Sequence, residues 1–249
     1  MQRIVVDVAQ VDGDLLRLTP DQQHYLERVL RLQRGDRFLA LDGQGTIWLS
    51  TLSSIEGQAH LSSLSDFGDT QLAPDQPYIT LAACLPKQGF DEVVRQVTEL
   101  GVHQVVPILS DRTLLRPSVN KLERWRRIAT EATEQSERLV VTQVREPMAW
   151  SKWLETDTSD QRYLCVARRS APSLLSVCLS RQATSIVVAI GPEGGWTEIE
   201  VEGAITKGYQ PVMLGRNVLR AVTASVTALS ILQASLVFAS IDPFQVDQL

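Results

Sequence analysis

Histidine is scarce: the 249-residue chain has three, His24, His60 and His103. None is paired at metal-ligand spacing, which argues against a zinc hydrolase and leaves no metal site to expect. Cysteine is equally sparse. Cys84, Cys165 and Cys178 are far apart, odd in number and mostly set in apolar runs, so they suggest buried reduced thiols and no disulfide framework. Neither G-x-G-x-x-G nor G-x-x-x-x-G-K-[ST] occurs, which removes the familiar dinucleotide and triphosphate loops. The G-x-S-x-G elbow of α/β hydrolases is missing too. Positive charge is not in excess: the formal net charge is −5, so any nucleic-acid contact must use a local patch. Met1-Gln2-Arg3 leads straight into the strand-like run Ile4 to Val8. Without the zones of a secretory leader, and with reduced thiols, the expectation is a cytoplasmic protein.

Residues 221–240, AVTASVTALSILQASLVFAS, carry no charge over a length that could cross a bilayer. Seven of them are Ser, Thr or Gln, and no second such segment exists. The expectation is a helix buried in a core or subunit interface, with no membrane involved.

What the chain does contain is an ordinary globular composition, 44% hydrophobic and 21% charged, over a length that fits two domains. Residues 1–65 read as short strands with one helix. Thr19-Pro20-Asp21-Gln22 forms a capping box with Pro at the first helical position, and the helix is expected to run through Leu26 and Leu30 to Gly35. Arg37 to Leu41 and Thr46 to Leu52 flank the turn Asp42-Gly43-Gln44-Gly45, and a further strand covers Ala59 to Leu64. A small β-barrel or sandwich is implied. Residues 66–77 are polar and turn-rich, the best linker.

Beyond the linker, strands and helices alternate: strand Tyr78 to Leu85, a helix carrying Phe90, Val93, Val94, Val97 and Leu100, strand Val102 to Leu109, and a long helix over about 119–137. Strands at Arg162 to Ala167, Ser185 to Ile190 and Pro211 to Leu214 follow. This is the pattern of an α/β domain with a mostly parallel sheet. Two of its strands end in glycine loops that open helices. Ser185 to Ile190 runs into Gly191-Pro192-Glu193-Gly194-Gly195, with Thr197 and Glu200 as a capping box. Pro211 to Leu214 runs into Gly215-Arg216-Asn217, with a helix expected from Val218. Ligands in open α/β sheets bind beyond the carboxyl ends of strands, and glycine lets a backbone approach a ligand closely. One such loop could be a plain chain turn; two could line a pocket from both sides.

IGPEGGWTEIE and LGRNVLRAVTASVTAL together resemble the paired C-terminal motifs of the RsmE family of SPOUT methyltransferases. Lys87 to Pro107 (KQGFDEVVRQVTELGVHQVVP), ATEQSER at 132–138 and the N-terminal HYLERVLRLQRGDRF agree with the same family. The resemblance implies an S-adenosylmethionine-dependent enzyme that methylates N3 of a uridine in 16S ribosomal RNA. It implies a PUA-like β-barrel domain over residues 1–70 and a SPOUT domain with a trefoil knot over 71–249. It also implies a homodimer acting on the rRNA or the small ribosomal subunit. The donor-binding residues it suggests are Ile190, Gly191, Pro192, Gly194, Gly195, Leu214, Gly215, Val218, Leu219 and Thr223. In one place the chain departs from the pattern: Val222 stands where the family usually has Glu. A role built on that carboxylate cannot operate here, and a catalytically silent RNA-binding or ribosome-assembly protein on the same scaffold is the rival reading. A SPOUT enzyme with another RNA target is a third.

For methyl transfer to uridine N3, Arg220 could stabilise negative charge on a uracil oxygen, or else pair with a phosphate or a neighbouring carboxylate. Glu193, the carboxylate within the first glycine loop, is the candidate base by proximity, or else a cap for loop amides. Basic residues recur in two places. Arg28, Arg31 and Arg34 follow a spacing of three, and Arg112, Arg116 and Arg124 lie in a stretch with Lys121, Arg126 and Arg127. Either set could contact RNA phosphates or form a solvated face.

Overall fold

The computed structural model describes residues 1–62, 76–179 and 183–240. The chain divides into two compact units, Met1–Pro74 with Thr133–Val141, and Asp75–Ala132 with Thr142–Leu249. Most of the expected linker, the end of the strand expected at 59–64 and a boundary at residue 70 lie outside the described residues.

In the first unit, β1 (Arg3–Val5), β2 (Val11–Asp12) and β3 (Leu15–Arg17) precede α1 (Pro20–His24), followed by β4 (Arg37–Leu41), β5 (Ile47–Leu52) and β6 (Gln58–Ser62). The capping box at Thr19 forms as its sequence implies: Thr19 Oγ1 accepts the Gln22 amide at 3.3 Å and the Gln22 side chain accepts the Thr19 amide at 2.9 Å. The helix does not reach Gly35. It passes into a single π-helical turn, Tyr25–Val29, and Arg31 is left-handed at φ 58°. In a regular helix Leu32 would face about 120° away from Leu26. The break returns it, with the Leu32 amide donating to the Leu26 carbonyl at 3.0 Å, so Leu26, Leu30 and Leu32 all meet the core of Ile4, Leu16, Phe38 and Ala59.

The hairpin between β4 and β5 is closed by Asp42, whose Oδ1 accepts the amides of Gln44 and Thr46 at 2.8 and 2.9 Å. The strand order is β1-β4-β5-β6-β3-β2, with β1 parallel to β4 and the remaining pairs antiparallel. Residues 133–141 join this unit through three ties: the Val5 amide to Glu134, Arg3 to the Glu137 carboxylate, and the Val141 amide to the Gly43 carbonyl.

The second unit is an α/β layer structure. Its elements are β7 (Tyr78–Cys84), α2 (Phe90–Glu99), β8 (Gln104–Leu109), α3 (Val119–Gln135), β9 (Gln143–Val144), β10 (Met148–Ala149), α4 (Trp150–Thr156), β11 (Gln161–Cys165), α5 (Leu174–Cys178), β12 (Ser185–Ile190), α6 (Glu198–Thr206), β13 (Gln210–Val212) and α7 (Ala221–Ser240). Among the described residues all pairings of these strands are parallel, in the order β10-β8-β7-β12-β11-β13, with β9 beside β8. Continuous apolar strands such as IVVAI are those a sheet covered on both faces requires. Alternation assigns the faces. Ile79, Leu81, Ile186, Val188 and Ile190 join the core with α2, α3 and α7. Ala82, Cys84, Val187 and Ala189 join the other core, with Trp150, Trp153 and Val201 from α4 and α6.

One expectation needs correction here. The last helix starts at Ala221, not Val218; residues 218–220 stay in the loop, and the Ala224 amide donates to the Arg220 carbonyl at 2.8 Å. Within the chain that helix is buried on one face: 33% of the span Ala221–Phe238 is buried. Ala221, Ala228, Leu229 and Leu232 face the core while Val237 and Phe238 stay exposed. It is the one described helix long and apolar enough to cross a membrane.

Candidate active site

Four neighbouring strands set out the candidate residues. β7 ends at Cys84, β12 at Ile190, β11 at Cys165 and β13 at Val212, so the loops that follow all leave the carboxyl edge of one parallel sheet. β7 and β12 lie side by side, and the chain leaves β7 for β8 on one side of the pair and leaves β12 for β13 on the other, past β11. That is the reversal of strand order at which open α/β sheets bind ligands. The two glycine loops do not follow adjacent strands. β11 lies between β12 and β13, so the strand ends from which the loops leave are two strand spacings, about 10 Å, apart.

The first loop is held from all sides. Ile190 is buried at the strand end and Pro192 beneath the turn, where its carbonyl accepts the Gly195 amide at 2.8 Å. Glu193 Oε1 accepts the amide of Lys87, from the loop after β7, at 2.8 Å. Arg112, from the loop after β8, donates from Nη1 to the Gly194 carbonyl at 2.7 Å. Trp196 donates from its indole to the Cys165 carbonyl at 3.2 Å, and its ring lies 4.6 Å from that of Trp150. A Cβ on Gly191 would come 2.9 Å from the Trp196 indole nitrogen, so glycine is needed there to admit the tryptophan.

Beneath the loop, Glu200 is a buried carboxylate, 7% exposed. Its Oε2 accepts the Thr197 amide at 2.8 Å, completing the expected capping box, and its Oε1 accepts the Asp111 amide at 2.9 Å. One side chain thus starts α6 and fixes the neighbouring loop. Close by, burial pushes the Cys84 thiol up to about 12, partly opposed by hydrogen bonds with Ser110 and Thr113. At that value it is a neutral group and no nucleophile.

The second loop is more open. Leu214 is half-buried against the core, Gly215 and Val218 are exposed, and Leu219 is half-buried. A Cβ on Gly215 would meet nothing within 4 Å, so open space adjoins the backbone there. Met213 bonds back to the segment before α5, its amide donating to the Pro172 carbonyl at 2.9 Å. Arg220 and Thr223 are exposed at the start of α7, and Arg220 makes no side-chain hydrogen bond or ion pair among the described residues. Val222 is half-buried against the core.

The basic candidates separate. Arg28, Arg31 and Arg34 are exposed in the first unit, and Arg28 and Arg34 line a cleft of about 530 Å³ with Glu27 and Glu56. In the second unit Arg116 is exposed, whereas Arg124 pairs with Asp91 at 2.8 Å, and Arg126 pairs with Glu123 and Glu146. Arg112 is committed to the glycine loop. Sequence reasoning missed the parts played by Lys87, Asp111, Arg112 and Trp196. Of these only Trp196, adjoining the glycines, had a signal of its own.

Comparison with known proteins agrees with this layout. The RNA methyltransferase domain family matches residues 74–233, and the RNA methyltransferase PUA domain family matches residues 18–61. Ribosomal RNA small subunit methyltransferase E of Synechocystis sp. is 45% identical over 240 residues, covering 94% of this chain and 78% of the relative. The protein of that name from Rickettsia conorii is 31% identical over 236 residues, covering 92% and 93%. Among solved structures, ribosomal RNA small subunit methyltransferase E from Neisseria gonorrhoeae, bound to S-adenosyl methionine, superposes with a TM-score of 0.82. It is 28% identical and covers 94% of this chain and 97% of that one. A family match over more than half of the residues and close identity across nearly the whole length agree: the chain belongs to the ribosomal RNA small subunit methyltransferase E family.

Proposed function

We propose that this chain is an S-adenosylmethionine-dependent methyltransferase acting on N3 of a uridine in 16S rRNA. The observation that carries the reading is the glycine loop at the reversal of strand order, tethered by neighbours on both sides. It is supported by a relative of similar length solved with S-adenosyl methionine.

The residues fit that donor. Backbone groups of 190–195 and 214–219 are presented on turns opened by glycine, and nothing within 4 Å of a Cβ on Gly215 obstructs a ligand there. Bound there, S-adenosylmethionine supplies an electrophilic methyl group on a sulfonium. The chain's task is to hold uracil N3 in line and to stabilise the charge that appears as its proton leaves. Arg220, exposed and without a side-chain partner among the described residues, is the cation for a uracil oxygen. Glu193 has Oε1 taken by the Lys87 amide, which leaves Oε2 to accept the proton. Position 222 has no part in this chemistry, since a valine offers neither proton nor charge.

In the same reading residues 1–70 form an RNA-binding domain, with Arg28, Arg31 and Arg34 on phosphates, and residues 71–249 form the knotted catalytic domain. A homodimer covers the apolar outer face of α7, and the enzyme works in the cytoplasm on rRNA or the small subunit. Mass spectrometry of 16S rRNA from a strain lacking the protein is the test. Loss of one 3-methyluridine is expected; an unchanged level refutes the reading.

A further inference from the structure

Arg112 lies among the basic residues that suggest RNA contact, but its surroundings give it another task. Its guanidinium donates to the Gly194 carbonyl at 2.7 Å. Its methylenes lie over the same residue: a Cβ on Gly194 would sit 3.2 Å from Arg112 Cδ and 3.5 Å from its Cβ. The next peptide is unusual in being flanked by glycine on both sides. Gly195 is left-handed at φ 71°. A peptide plane flips by changing ψ of the residue before it and φ of the residue after it. With glycine at both positions neither change meets a Cβ, so the Gly194–Gly195 plane is intrinsically free to turn over.

In a trans peptide the carbonyl and the following N–H point opposite ways. Holding the Gly194 carbonyl on Arg112 therefore directs the Gly195 N–H toward the Pro192 carbonyl, which it reaches at 2.8 Å. Arg112 is itself held in place from below. The amide of its neighbour Asp111 donates to the buried Glu200 carboxylate at 2.9 Å, and that carboxylate also starts α6. A buried carboxylate, a loop and a guanidinium thus form a chain of contacts ending on one carbonyl.

We propose that Arg112 is a positioning residue that locks the Gly194–Gly195 peptide in one orientation, so that the loop is formed before the methyl donor arrives. A loop ordered in advance binds its ligand without the cost of choosing between two peptide orientations. The proposal rests on reading this loop as the donor site, but the lock itself is a property of the free protein and is measured without donor.

The test uses full-length wild type, Arg112→Ala and Arg112→Met, the last keeping an apolar stem over Gly194 while removing the guanidinium. Amide hydrogen exchange at Gly195, without donor, is expected to speed up in both variants, while the strands β7 and β12 stay protected. Calorimetry with S-adenosylmethionine is expected to show affinity about tenfold weaker in both, the scale of one charge-assisted hydrogen bond. Arg112→Lys, which retains a donor, is expected between Met and wild type. The salt slope of RNA binding is expected to stay as in wild type. Unchanged Gly195 exchange in a folded Arg112→Met protein overturns the lock. A salt slope lower by about one with undiminished donor affinity overturns it in favour of a phosphate contact. If wild type takes up no S-adenosylmethionine, the donor-site reading fails, and the exchange result still decides the lock.

Discussion

A Cβ placed on Gly89 would sit 3.1 Å from Cγ2 of Val222. The side chain at position 222 therefore lies against the turn that opens α2, half-buried where α7 packs on α2. Arg220, two residues earlier, is on the exposed side. The chemistry assigned to this end of α7 rests on one residue of the pair.

Arg220→Ala should lower the single-turnover rate at saturating RNA and donor by about a hundredfold, the usual loss for one group aimed at developing charge. Donor affinity should hardly change, since only interactions made in the transition state affect the chemical step alone. Equal, small losses in rate and RNA affinity would make Arg220 another phosphate contact.

The glycine loops should respond differently to bulk. At Gly215 an added side chain enters open space, so Gly215→Val should leave the melting temperature intact and abolish S-adenosylmethionine binding. At Gly194 the added Cβ meets Arg112 at 3.2 Å. Gly194→Val should weaken donor binding and also free the arginine, visible as loss of thermal stability. Undiminished binding in both variants, by calorimetry, would remove the loops from the donor site.

Salt dependence should sort the arginines by their partners. Arg116, Arg28, Arg31 and Arg34 are exposed, and each change to Ala should reduce the slope of log K against log salt by about one if it meets a phosphate. Arg124 is engaged by Asp91 at 2.8 Å, so Arg124→Ala should lower the slope by less. Equal slopes in all variants would show that RNA is held elsewhere.

The Cys84 thiol carries a pH signature. Burial raises it from 9.0 to about 12, so the folded state holds its proton where the unfolded chain has lost it. Its contribution is complete below pH 9 and falls away as pH climbs toward 12. The urea midpoint should fall with pH across that window, less steeply in Cys84→Ala. Iodoacetamide at pH 8.5 should leave the thiol of the native protein unmodified.

Much of this layout was legible in the residues themselves. The Thr19 and Thr197 capping boxes, the Asp42 turn and the apolar strands around Leu81 and Val188 announce themselves through local hydrogen bonding and periodicity. The glycine loops were legible because an apolar strand breaks off into glycine and a helix start follows at once. What escaped was set by contacts distant in sequence. Arg112 looks like one cation among many until strand order brings it to Gly194, 82 residues on. Arg31 is left-handed because Leu26 and Leu32 share one core, which no local pattern states. The short elements β2, β9, β10 and α5 have too few residues for a period to register.

The place of β12 bears on how the chain is made. Its partners on either side, β7 and β11, end at residues 84 and 165, while β12 itself spans 185–190. As the polypeptide leaves the ribosome, more than half of the sheet is synthesised with its middle missing. Two apolar strand edges must wait, unpaired, until the last quarter of the chain emerges. Such edges invite wrong pairing, and late long-range closure is slow. The nascent protein should therefore depend on chaperones up to about the point where Ile190 clears the exit tunnel, and the step that joins β7 to β11 is also the one that delivers the glycine loop to its place.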